Sequence, residues 1–180
     1  MPSPAELKEQ GLNLYRAEHY AAAAEKFAAA AQAFAAAGDQ ASAAEMRNNQ
    51  CVTHLAQKQW EAALAAVAGT PEIFHALGDK LREALALANL AASHEGLGRS
   101  VEAAGFYLQA VELFGELGEK ENRAACYKAL SGLQLKAGQQ LQALASMHSG
   151  LNLASELREL TAQERLLKGM LDRALKMMQK

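Results

Sequence analysis

Apolar and small residues recur along this chain at the spacing of a helix face. In "LREALALANLAASHEGLG" they fall at Ala84, Leu87, Leu90 and Ala91, the i, i+3, i+4 rhythm of an α-helix. "EGLGRS" then reads as a turn, with Gly98 able to take the left-handed C′ conformation. "SVEAAGFYLQAVELFGEL" reads as a second helix, with Ser100 as its N-cap and Gly118 as its terminator. Val, Ile and Thr, which strands favour, are scarce, and Ile73 is the sole isoleucine. The pattern predicts an all-α fold.

The helical pattern repeats every forty residues. Gly38, Gly78 and Gly118 share that interval, as do Phe34, Phe74 and Phe114. Small residues keep the same frame at Ala23, Ala63, Ala103 and Ala143, and at Gly11, Cys51, Ala91 and Ser131. A third small column is Ala30, Thr70, Ala110 and Gly150. The Gly and Phe columns fade in the fourth copy, at Arg158 and Ala154. Helix pairs over about 5–40, 41–80, 81–120 and 121–160 follow, in a single domain over 1–180. "AGTPEIF" breaks the second helix of repeat two at Gly69 and Pro71, with Thr70 expected to cap the new turn. The last segment, 161–180, opens on a Thr161–Glu164 capping box. Its apolar stripe, Leu167, Met170, Leu171, Ala174, Leu175 and Met178, suits a helix that covers the end of a solenoid. Nine helices are predicted.

The units resemble tetratricopeptide repeats of the long, forty-residue type. The spacing appears as Leu87-x2-Leu90-Ala91-x2-His94 then Ala103-x3-Tyr107-x2-Ala110, and as Tyr20-x2-Ala23-x3-Phe27-x2-Ala30. The resemblance implies a right-handed superhelix whose first helices line a concave groove. In that groove it places Lys8 and Leu12 from repeat one, and Glu45, Asn48 and Asn49 from repeat two. Leu85 and Asn89 follow from repeat three and Lys128 from repeat four. Asn49 and Asn89 are equivalent, forty apart. Amides there commonly hold the backbone of an extended peptide, because an amide both donates and accepts. The alternative is that they bond to neighbouring helices or face water. Some family members clamp a peptide's C-terminal carboxylate; Lys8 and Asn49 fit that pattern, but Leu12, Leu85 and Asn89 do not. Gln50, in register with Gln10, Leu90 and Leu130, is expected in the repeat core, where its amide needs partners.

Charge refines the picture. The net charge is −2, but residues 61–120 carry four Lys/Arg against nine Asp/Glu, and residues 121–180 nine against five. The chain has no overall pull towards nucleic acid. The terminal cations Arg165, Lys168, Arg173, Lys176 and Lys180 lack the interleaved aromatics of a nucleic-acid site. Cys51 and Cys126 have no CxxC spacing, and His54 and His94 read as packing residues. "GLGRS" lacks the glycine count and the preceding strand of a nucleotide loop. No catalytic motif, cofactor or metal is expected. No apolar signal segment or membrane span stands in the chain, so a cytoplasmic protein is expected. The functional expectation is a scaffold that holds a partner's peptide or helix in the groove. The alternative is a homodimer joined through the apolar C-terminal helix.

Overall fold

The computed structural model describes residues 2–178, with Met178 described in its backbone only. The expected contributions of the Met178 side chain and of Lys180 therefore lie outside the described residues. The chain is all-α. Ten helices occur among the described residues: α1 (Pro4–Arg16), α2 (Tyr20–Ala36), α3 (Gln40–Ala56), α4 (Trp60–Val67) and α5 (Thr70–Ala76), then α6 (Lys80–Gly96), α7 (Ser100–Leu117), α8 (Lys120–Lys136), α9 (Gln140–Leu157) and α10 (Ala162–Met178). The break in repeat two divides one helix into α4 and α5, so nine positions of the repeat frame yield ten segments.

The corners share one construction. A residue with positive φ stands at Glu18, Gly38, Lys58, Gly78, Gly98, Gly118 and Gly138, every twenty residues. The next N–H reaches back five residues to a carbonyl. His19 bonds Leu14, Asp39 bonds Phe34 and Arg99 bonds His94, each at 2.9 Å, and Gln139 bonds Gln134 at 2.8 Å. This is the Schellman closure, which satisfies carbonyls that a helix end would otherwise leave open. Two entry caps follow where the sequence offers them: Asp39 and Asp79 accept from the N–H groups of Ser42 and Arg82 at 2.9 and 3.0 Å. Ser100 is not a cap. It is the first residue of α7, and Ala103 N–H bonds the Arg99 carbonyl at 3.0 Å.

At the break, Gly69 takes φ 77°. Thr70 is fully buried and does not cap α5; its hydroxyl donates back to the Val67 carbonyl at 2.8 Å. Arg47, on α3, donates Nε to the Ala66 carbonyl at 3.1 Å and Nη2 to the Ala68 carbonyl. Three carbonyls released by the break thus find donors, as buried backbone groups must.

The molecule divides into two compact units between Ala103 and Ala104, in the first turn of α7. In the first unit, α1 packs on α2, α2 on α3, and α3 on α4, α5 and α6. Phe27, Met46, Val67 and Phe74 are buried at its centre. In the second, α8 packs on α9 and α9 on α10, around Phe114, Leu130, Leu133 and Leu171. The small columns are where helices meet: Ala23, Ala63, Ala103 and Ala143 are all fully buried. A Cβ on Gly11 would stand 2.7 Å from the Phe27 ring, so that position admits no side chain without displacing the ring.

Both ends carry capping boxes. Ser3 and Glu6 exchange bonds at 2.7 and 3.2 Å, and Thr161 and Glu164 at 2.8 and 3.3 Å. The apolar stripe of α10 divides. Leu171 is buried, with Ala174 and Leu175 half-buried, whereas Leu167 and Met170 are 38% and 55% exposed; outside that stripe, Leu166 and Met177 are 64% and 71% exposed.

Candidate functional site

The first helices of repeats one to three present an ordered row of polar groups. On α1, Lys8 donates from Nζ to Glu45 on α3 at 2.6 Å. Glu45 also meets Arg82 on α6, at 3.5 Å. Arg82 in turn holds Asp79 at 2.7 Å and lies over the Phe74 ring, 5.1 Å from its centre. Lys8, Glu45 and Arg82 are each thirty-seven residues apart. Successive helices therefore meet along a diagonal, three residues short of the repeat. Charges exposed to this degree contribute only about 0–1 kcal/mol per pair, so the row sets register more than stability. Asp79 is held below the usual carboxylate range by the Arg82 backbone N–H and then by the Arg82 side chain.

One turn further along lies the amide pair. Asn89 Nδ2 donates to Asn48 Oδ1 at 3.0 Å, joining α6 to α3. Asn89 thus engages Asn48, forty-one residues away, rather than its equivalent Asn49. Asn49 is half-buried, and no hydrogen bond engages its side chain among the described residues. Glu45, Asn48, Asn49 and Leu85, with Arg82 and Phe74, line a pocket of about 400 Å³ between α3, α5 and α6. Five of the eight residues expected at the site are therefore gathered here, Asn89 through its bond to Asn48, and Lys8 adjoins through Glu45. Leu12 is not brought in; it is half-buried against the Phe27 core of α1 and α2. Lys128 lies in the second unit. Sequence reasoning missed Arg82 and Phe74. The signal for Arg82 was available in the alternation of charge at thirty-seven-residue steps.

The pocket floor is apolar and its rim carries paired charge with one uncommitted amide. Such a surface can exchange hydrogen bonds with a main chain. It has no cation left over for a free carboxylate, since Lys8 and Arg82 are already paired. Gln50 departs from expectation: it is half-buried, its amide 3.5 Å from His54, and its counterpart Gln10 is exposed. His54 donates from Nδ1 to Gln59 Oε1 at 2.7 Å. Burial raises both thiols, Cys51 and Cys126, to about 11, so each stays protonated at neutral pH. Among the described residues no group of three or more His, Cys, Asp and Glu is placed to hold a metal ion, and no helix is long and apolar enough to cross a membrane.

A second, larger groove of about 670 Å³ lies in the second unit between α8, α9 and α10. Ala124 and Lys128 line it from α8, Met147, Leu151 and Ala154 from α9, and Leu167 from α10. Ala154 occupies the column that holds Phe34, Phe74 and Phe114 in the earlier repeats. The fading of the repeat in its fourth copy is the sequence signal for this groove.

The fold and the first groove define an all-α protein of successive helix pairs with a polar inter-helix pocket. No protein-family model matches this chain, and no curated protein is significantly similar to it.

Proposed function

We propose that the protein is a tetratricopeptide-like interaction module whose first-unit pocket holds an extended segment of a partner protein. One observation carries this reading: Asn49 stands half-buried at the lip of the α3–α6 pocket with no side-chain hydrogen bond among the described residues, beside an Asn48–Asn89 bond that fixes the neighbouring amides. A peptide main chain supplies alternating donors and acceptors that match an amide. Leu85 and Phe74 give its side chains an apolar floor.

The test is selection of peptides from a random displayed library on the immobilised protein. Asn49→Ala combined with Asn89→Ala is expected to weaken the selected peptides at least about tenfold, with helical circular dichroism unchanged. Equal binding by the double variant rejects the groove.

A second reading rests on a different observation, the exposure of Leu166, Met170 and Met177 along one side of α10. An apolar stripe of this kind suits a homodimer through the C-terminal helix. Light scattering decides it. A dimer that Leu166→Gln, Met170→Gln and Met177→Gln together convert to monomer supports it, and a monomeric wild type removes it.

A further inference from the structure

The larger groove follows from one missing ring. Phe74 and Phe114 are each 1% exposed, filling the space their repeats leave at this register. In the fourth repeat the position is Ala154, which lines the groove. Gly150 brings α9 close to α8 there; a Cβ on it would lie 3.3 Å from Tyr127 Cβ. The groove is lined by residues of α8, α9 and α10. Its walls are apolar: Met147, Leu151, Leu157 and Leu167, with alanines between them.

Its charges are unequal in their commitments. Arg158 is closed onto Glu164 by two bonds, at 2.9 and 2.6 Å. Glu121 lies at the start of α8, beside the Lys120–Glu156 pair. Lys128, two turns further along α8, is exposed and has no ion pair among the described residues. An apolar trough with one uncommitted cation on its rim, and a carboxylate at the other end, matches an apolar body with a single anionic head.

The size of the groove suits a small molecule. From Glu121 to Ser131 the groove runs about 15 Å along α8. The space is about 670 Å³, inside the roughly 300–1,000 Å³ of small-molecule sites.

We infer that the second unit binds a carboxylate-bearing amphiphile, its hydrocarbon body in the space vacated at Ala154 and its head at Lys128. This site is separate from the peptide pocket of the first unit, and its test does not depend on that reading.

The probes are dodecanoate and dodecyltrimethylammonium, titrated calorimetrically into the full chain below their micelle concentrations. Saturable one-to-one binding of dodecanoate is expected, with the cationic amphiphile at least about tenfold weaker. Lys128→Glu, an exposed change that leaves the fold intact, is expected to reverse that order. Ala154→Phe restores the ring of the other repeats and is expected to abolish both. If Ala154→Phe fails to fold, the reversal by Lys128→Glu decides alone. The proposal is overturned by absence of saturable dodecanoate binding to the wild type, or by a head-group preference that Lys128→Glu leaves unchanged.

Discussion

Glu18 and Lys58 occupy corners that the remaining repeats give to glycine. Their φ angles are 60° and 57°, in the left-handed region where a Cβ crowds the following carbonyl. That conformation costs an ordinary residue roughly 1–2 kcal/mol, whereas glycine adopts it freely but loses about 0.5–1 kcal/mol in unfolded-chain entropy. The first effect is the larger. Glu18→Gly and Lys58→Gly are each expected to raise stability by about 0.5–1 kcal/mol, seen as a higher urea midpoint at unchanged slope. Gly98→Ala moves in the opposite direction and should lower the midpoint. A midpoint that falls for either glycine variant contradicts the strain argument.

At the scale of the element, the broken second helix of repeat two depends on donors brought from elsewhere. Thr70 serves Val67 from within the break, and Arg47 reaches across from α3 to Ala66 and Ala68. Thr70→Val keeps the shape and removes the donor, leaving a buried carbonyl unmet at about 1–3 kcal/mol. Arg47→Met, at a less buried site, should cost about 1–2 kcal/mol; thermal unfolding measures both, and Thr70→Ser should retain most of the stability. The break itself is legible, because Gly69 and Pro71 forbid a continuous helix. The repair is not, since Arg47 and Ala66 are nineteen residues apart and no local rule links them. The corners divide likewise: glycine announces five of the seven, while Glu18 and Lys58 are recognisable only from the twenty-residue rhythm. The pocket was legible as a set of positions. Its pairing of Asn89 with Asn48 depends on the helices meeting along a diagonal, which the forty-residue frame alone does not give.

The start of α10 titrates, and the sign follows from its partners. Glu164 is held at about 2, first by Arg158 and then by the Thr161 backbone N–H. A carboxyl depressed in the folded state stabilises above its unfolded value of 4.5, and that contribution fades as pH falls towards about 2. Acidification from pH 6 to pH 3 is therefore expected to speed amide exchange in the first turn of α10. Glu164→Gln should show the faster exchange already at pH 6, with little further acid dependence from this cap. An α10 whose wild-type exchange, corrected for intrinsic rates, ignores pH in that window would remove the cap from its proposed role.

Across the whole molecule, helices of each unit pack mainly on their neighbours in sequence, which makes stability a sum of local and nearest-neighbour contributions. The two units are unequally filled. The first buries Phe27, Met46, Val67 and Phe74 almost completely. The second carries the groove where the fourth repeat lacks its phenylalanine. Local openings with few buried apolar contacts occur at lower free energy. Native-state hydrogen exchange in rising denaturant is thus expected to resolve two groups of amides. Those of α8 to α10 should open at lower denaturant than those of α1 to α6. Ala154→Phe should narrow the gap by adding apolar contacts to α9 and α10, while Asn49→Ala, which alters only the pocket lip, should leave it unchanged. Coincident opening of all ten helices in the wild type would show instead that the molecule unfolds as one cooperative unit despite its uneven core.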